Sequence, residues 1–141
     1  MIIDVNYWAV AIAAISTMVV GSIWYTPKAF GNYWMRVAKV DMGDRGAVVP
    51  ILTTLVVSFI SAWVLALATQ VAWQALSGNH LLVALLTGIL LWAGFTAARF
   101  ITHDAFEGRP AGLTILNIAH ELVTVVIMAI IIGVWPPAGT V

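Results

Sequence analysis

Three polar residues near the end of the chain have the side chains most suited to chemistry. Asn117, His120 and Glu121 lie in the run from Leu113 to Trp135, which is otherwise almost wholly apolar and long enough to cross a bilayer. Histidine exchanges protons near neutral pH, and a desolvated carboxyl does so closer to neutrality than one in water, so the pair could serve a proton relay. An ionisable pair near mid-membrane is costly, and we therefore expect it to face protein or water.

An arginine in the preceding apolar run is the natural partner for Glu121. Arg99 and His103 lie one helical turn apart, as do Asn117 and Glu121. If the chain turns near residues 107 and 108, Glu121 lies roughly 7 Å deeper than Arg99 at 1.5 Å per residue, within reach of an arginine side chain. The pattern predicts an Arg99–Glu121 ion pair bridged by Asn117. Such a pair serves either as a lock that fixes helix register or as part of a transport path.

Metal ligation is the other chemistry that these residue types suggest. His103, Asp104 and Glu107 offer nitrogen and oxygen ligands after the third apolar run, and His120 with Glu121 offers more. The histidines are separated by roughly 12 Å along the helix axis, far more than the bonds of one zinc centre allow, and no HExxH pattern is present. We predict no metal site and no cofactor.

Other catalytic signatures are weak. The chain has no cysteine, its serines lack a nucleophile-elbow context, and it contains no phosphate-binding glycine loop. A membrane-embedded hydrolase with His120 as its base has no support beyond that residue. The sequence favours a protein that is not an enzyme.

Composition sets the class of the protein. Of 141 residues, 62% are hydrophobic and 9% are charged, against roughly 45–50% and about 25% in soluble domains. A soluble fold of this length could not bury so much apolar surface, so we expect the lipid bilayer to cover it. The formal net charge is zero, which gives no reason to expect a nucleic-acid partner.

Four apolar runs organise the chain into a single membrane domain, residues 1–141. They are predicted at about 7–25, 48–73, 81–102 and 113–135, each near the length that a bilayer requires. The expected fold is an all-α membrane protein with four transmembrane helices in an antiparallel bundle. A short interfacial helix is predicted near Phe30 to Lys39, where aromatic and basic residues occupy different sides of the helix.

Basic residues fall on one side of this arrangement. All six lie in or beside the first and third connections: Lys28, Arg36, Lys39, Arg45, Arg99 and Arg109. By the positive-inside rule these connections are cytoplasmic, and both termini lie on the non-cytoplasmic side.

Small residues recur every four positions in several runs. The first run carries such a stripe at Ala9, Ala13, Thr17 and Gly21, and others begin at Ser58, Ala84 and Gly94. Small side chains let helices pack closely within a protomer or between protomers. Because the stripes outnumber what four helices need, we predict a homo-oligomer, most simply a dimer.

Short motifs along the chain resemble one bacterial family. Its opening is matched by Gly21-Ser-Ile-Trp24-Tyr25-x-Pro27 and Phe30-Gly31-x-x-Trp34. Its second half is matched by Phe106-Glu107-Gly108-Arg109-Pro110, Asn117-x-x-His120 and Gly133-x-Trp135. This is domain-of-unknown-function family 1761, a family of small four-span integral membrane proteins. The resemblance implies a multi-pass protein of the bacterial inner membrane, and it brings no catalytic residues.

Two functional hypotheses fit these features. The first is a non-enzymatic bundle or assembly protein with a buried polar cluster. The second is an oligomeric channel or proton-coupled carrier whose path uses Arg99, Asn117, His120 and Glu121. A polar face buried against Arg99 favours assembly, whereas a water-lined face at a symmetry axis favours transport. The sequence does not identify a substrate or an ion.

Overall fold

The computed structural model describes residues 4–39 and 48–138, and every regular element in them is helical. In chain order the helices are α1 (Tyr7–Trp24), α2 (Gly31–Ala38), α3 (Val48–Leu76), α4 (His80–Leu91), α5 (Ala98–Phe106) and α6 (Ala111–Val134). A π-helical segment, Trp92–Ala97, joins α4 to α5 without a break. The predicted all-α fold is confirmed for the described residues.

Four helices are long and apolar enough to cross a membrane. They are Tyr7–Trp24, Val48–Leu76, His80–Phe106 and Ala111–Val134. Each of these helices contains most of one predicted apolar run, and the second and third helices continue three and four residues past the ends of their runs. The predicted short helix after the first span is present as α2.

Local sequence signals determine where these helices begin. The Asn6 side chain accepts hydrogen bonds from the backbone N–H groups of Trp8 and Ala9, which caps α1. The Asn79 side chain caps α4 in the same way, through the N–H of Leu82. Gly108, with φ +64°, occupies the left-handed region in the turn before α6, where glycine is favoured.

Among the long helices, α6 packs mainly against α4 and α1, and α3 packs against α1 and α4. The Thr17 hydroxyl donates to Ser58 Oγ at 2.8 Å, which joins α1 to α3. The Asn6 side chain donates to the Trp135 carbonyl at 3.2 Å, so the start of α1 lies beside the end of α6. Gly133 lets the backbone of Leu81 approach, since a Cβ at Gly133 would lie 2.8 Å from the Leu81 Cα.

Three of the small-residue stripes are used inside the protomer. Ala9, Ala13 and Thr17 are buried, as are the stripes that begin at Ser58 and at Ala84. The stripe at Gly94 is different, because no atom lies within 4 Å of the space that a Cβ would occupy there. Most of the small-residue stripes thus pack against other helices of the same chain. The homo-oligomer stays a prediction.

The π-helical segment changes which side of the third span faces the protein. Gly88 is buried, and in a regular helix residues 95 and 99 would follow on its face. Instead Ala97 and Asp104 are buried, whereas Phe95 is 73% exposed. One wider turn shifts the buried stripe along the sequence. Trp92, at the start of this segment, donates its indole N–H to the Ile118 carbonyl of α6 at 2.9 Å.

Candidate functional site

His120 and Glu121 lie against the end of α1. His120 Nδ1 is 3.4 Å from Glu121 Oε1, and their side chains are 14% and 38% exposed. The imidazole packs on the rings of Trp24 and Tyr25, with centroid distances of 5.7 and 5.2 Å. We call His120, Glu121, Trp24 and Tyr25 the α1-end cluster.

The pKa of Tyr25, the first residue beyond α1, is affected by the charge of Glu121. Burial raises the pKa of the Tyr25 phenol above its usual value, and the negative charge of Glu121 raises it further. The phenol is therefore a neutral hydroxyl at physiological pH, and the carboxylate of Glu121 lies close enough to affect it.

Several buried polar atoms at this end have no hydrogen-bond partner among the described residues. They are Trp24 Nε1, His120 Nε2 and Thr124 Oγ1. Gly21 lies directly beside the imidazole, since a Cβ there would be 3.8 Å from His120 Nε2. Buried polar groups in proteins are usually bonded, so a group of unbonded ones marks a place with polar binding capacity.

The α1-end cluster lies level with the end of α1 and not half-way along it. The 18 residues of α1 span roughly 27 Å at 1.5 Å per residue, close to the thickness of a hydrocarbon core. Because Trp24 and Tyr25 meet His120, the ionisable pair is expected near one boundary of that core. The expectation of a mid-membrane pair counted depth along α6 alone, and it stays a prediction.

Beneath this cluster the protein interior becomes apolar. Thr17, bonded to Ser58, and Thr124 form the next layer, one helical turn further in. The layers after that belong to the hydrophobic core, whose larger members include Val10, Leu65, Met128 and Ile132. Apolar packing occupies roughly 12 Å of α1, between Thr17 and Ala9. Within the described parts of the chain, buried polar side chains return with Thr69 and Gln70, near the other end of α3.

Arg99 and Glu121 are not paired, and the predicted ion pair is wrong. Among residues 4–39 and 48–138, the acid–base contacts of Glu121 are confined to His120. The Trp92–Ile118 and Thr114–Asp104 hydrogen bonds lie on either side of Arg99, so Arg99 is level with about residues 114–118, one to two helical turns from Glu121. No contact joins the two side chains: Arg99 is exposed in a groove beside α5, whereas Glu121 contacts His120 next to the end of α1.

The remaining predicted residues are divided between these two places. Asn117 is partly buried one turn before Glu121, and it bridges no charged pair in the described structure. His103 is exposed one turn after Arg99, in the same surface groove. The candidate residues of the sequence therefore fall in two separate places: His120 and Glu121 lie beside the end of α1, and Arg99 and His103 lie in the groove beside α5.

Asp104 makes a buried contact between α5 and α6 that the sequence did not indicate. It is 4% exposed, and its Oδ2 accepts a hydrogen bond from the Thr114 hydroxyl at 2.7 Å. Arg109 Nε lies 3.7 Å from Asp104 Oδ1 and 2.6 Å from Glu107 Oε2. The sequence offered Asp104 only as a metal ligand beside His103. Its spacing of five residues from Arg109, across the Gly108 turn, was the available signal.

Comparison with protein families assigns the chain. The model of the family described as "Protein of unknown function (DUF1761)" matches residues 8–133, nearly the full length. The chain belongs to this family. Searches of curated proteins and of solved structures give no match.

Three of the five motifs that resembled DUF1761 meet at the α1-end cluster. Trp24 stacks on Phe30 at 4.6 Å, and Tyr25 contacts Trp34 at 5.2 Å. His120, from the second half of the DUF1761 chain, completes this aromatic group. In the described residues, no three His, Cys, Asp or Glu side chains come together as metal ligands.

Proposed function

We propose that this DUF1761 member is a non-enzymatic, multi-pass membrane protein whose role is assembly. The α1-end cluster and Asn117 serve as a polar contact for a second helical protein, most simply another copy of this chain. The proposal places the cluster at the predicted cytoplasmic end of the bundle.

One observation supports this proposal above the others: the polar cluster is closed beneath by apolar core. A solute path through a protomer needs polar or hydrated surface along its length. Here the polar layers reach one turn below His120, and packed Val10, Leu65 and Met128 follow. A polar region that ends within the protein fits the binding of a partner at that end better than the transport of a solute through the protomer.

The partial exposure of Glu121 supports a partner on the outside of the protomer. Its side chain is 38% exposed although it belongs to a helix that could cross the membrane. Polar side chains such as Asn, His and Glu promote association between membrane helices, by up to about 2 kcal/mol each. Asn117, one turn away on α6, extends the same face.

Single-cysteine crosslinking tests the assembly directly, since the natural chain has no cysteine. With Asn117→Cys in native membranes, mild oxidation should give a covalent dimer. Ile115→Cys is the matched control, because Ile115 is 63% exposed and points about 200° away around α6. Equal crosslinking at both positions would reject the proposed face, as would a monomeric mass in several mild detergents.

A proton-coupled carrier remains the second candidate, favoured by the unbonded His120 Nε2 and Trp24 Nε1. Since the protomer is closed by its core, such a path would run between protomers. The purified protein would then transfer protons across liposomes, and Glu121→Gln would fold normally yet abolish the flux. Absence of proton flux from the wild-type protein would exclude this candidate and leave assembly.

A further inference from the structure

The groove that contains Arg99 is a second site, independent of the proposed assembly role. It has an open volume of about 400 Å³ beside α5, and its wall includes Phe95, Arg99, Phe100, His103 and Arg109. The groove begins level with the end of α1, where the membrane boundary is expected, and continues outward along α5. We propose that it binds the phosphodiester headgroup of a membrane phospholipid.

One positively charged side chain of the groove is free to bind an anion. Both carboxylates are already engaged, Asp104 by Thr114 and Arg109, and Glu107 by Arg109. Arg99, in contrast, makes no ion pair with any residue of the described chain, and its side chain is exposed. A guanidinium binds phosphate oxygens through paired N–H donors. Arg99 is therefore the phosphate-binding group of this site.

His103 and the phenylalanines fit the rest of a lipid headgroup region. His103 follows Arg99 by one turn and adds a ring N–H that can donate to the same phosphate. Phe95, one turn before Arg99 on the membrane side, and Phe100, next to Arg99, line the groove and provide an apolar wall for the glycerol and upper acyl chain. Basic pockets beside transmembrane helices on the cytoplasmic side are established binding places for lipid headgroups.

The π-helical segment explains why this combination is exposed. The wider turn directs Phe95 outward, with 73% exposure, and continues into α5 so that Arg99 is exposed while Asp104 is buried. Wide turns of this kind recur at functional sites. A regular helix would have placed residues 95 and 99 toward the protein interior, following Gly88.

Native mass spectrometry of the full chain, titrated with phosphatidylglycerol, tests the site. Arg99→Gln should raise the apparent Kd for the first bound lipid about tenfold, the effect of losing one charge-assisted hydrogen-bonded contact. Arg99→Lys, which keeps the charge, should retain most of the binding. Lys28→Gln is the matched control: it removes one positive charge from the same end of the bundle, outside the groove, and should leave the Kd unchanged.

The competing outcomes are distinct. Equal weakening by Arg99→Gln and Lys28→Gln would mean diffuse attraction to the lipid surface and would overturn the site. Displacement of phosphatidylglycerol by millimolar glycerol phosphate or inorganic phosphate would show a soluble phosphate site and would overturn the lipid assignment. Circular dichroism of each variant establishes that the helices are intact, so a loss of binding reports on the groove.

Discussion

Asp104 is the most deeply buried ionisable residue in the described structure. It is 4% exposed and depends on the Thr114 hydroxyl and the Arg109 guanidinium for its polar contacts. Burying a carboxylate without such partners costs several kcal/mol. The same side chain joins α5 to α6 and fixes their register, so its contacts hold the Arg99 groove in shape.

Removing the Thr114 hydroxyl should therefore destabilise the protein. We expect Thr114→Val to lower the free energy of unfolding by about 1–3 kcal/mol, because one hydrogen bond to a buried carboxylate is lost. Thr102→Val is the matched control, since the Thr102 hydroxyl is exposed and bonds only to the Ala98 carbonyl of its own helix. Thermal unfolding in detergent, followed by circular dichroism, measures both. A control as unstable as Thr114→Val would refute the role given to Asp104.

Helix packing in this protein depends on one glycine more than on the others. A Cβ at Gly133 would lie 2.8 Å from the Leu81 Cα and 3.1 Å from the Ala84 Cβ, and backbone cannot move aside as a flexible side chain can. Gly94 contrasts with it, because the space around its Cβ position is open. Gly133 therefore determines how closely α4 and α6 approach.

Alanine at these two glycines should have opposite effects. Gly133→Ala should force α4 and α6 apart and destabilise the protein by about 1–3 kcal/mol, the usual cost of overpacking. Gly94→Ala should be neutral or stabilising by up to about 1 kcal/mol, since alanine has the higher helix propensity. The same unfolding measurement distinguishes them. Equal stabilities for the two variants would contradict the close approach at Gly133.

The elements could be predicted from the sequence because their signals are local. Apolar length identified all four spans, and Phe30 to Lys39 indicated α2 correctly. The ion pair between Arg99 and Glu121 was wrong although its depth estimate was nearly right. Depth follows from counting residues along a helix, whereas the direction around the axis depends on every turn between two points. A single π-helical segment before Arg99 changes the direction in which its side chain points. No residue pattern in the sequence predicted that segment.

The position of His120 shows a second limit of sequence reasoning. Its depth was counted from the ends of its own apolar run, Leu113 to Trp135. In the structure, the relevant boundary comes from α1, which is the shortest span and ends at His120. Only the packing of two distant segments reveals that His120 lies beside the end of α1, so the sequence alone could not relate its depth to that span.

The two ends of the set of long helices differ in their polar and basic residues. The Asn6–Trp135 hydrogen bond brings the start of α1 and the end of α6 to one end, together with the turn between α3 and α4. The opposite end has the α1-end cluster, the Arg99 groove and α2. Of the six basic residues, five lie in or toward this end within the described ranges, and the predicted position of Arg45 is outside them. The two proposed sites therefore lie at the same end of the long helices.

Cysteine labelling on intact cells should establish which side that is. By the positive-inside rule the basic end is cytoplasmic, so the turn at Ser77 should face outward. We expect Ser77→Cys to react with a membrane-impermeant thiol reagent and Gly43→Cys, beyond the described residues, to react only after the cells are permeabilised. Ser77 is exposed in a short turn, which makes its thiol accessible wherever that end lies. Reversed labelling would show that the topology is the opposite of the predicted one. Both proposed sites would then lie on the outer side, and the lipid headgroup would belong to the outer leaflet.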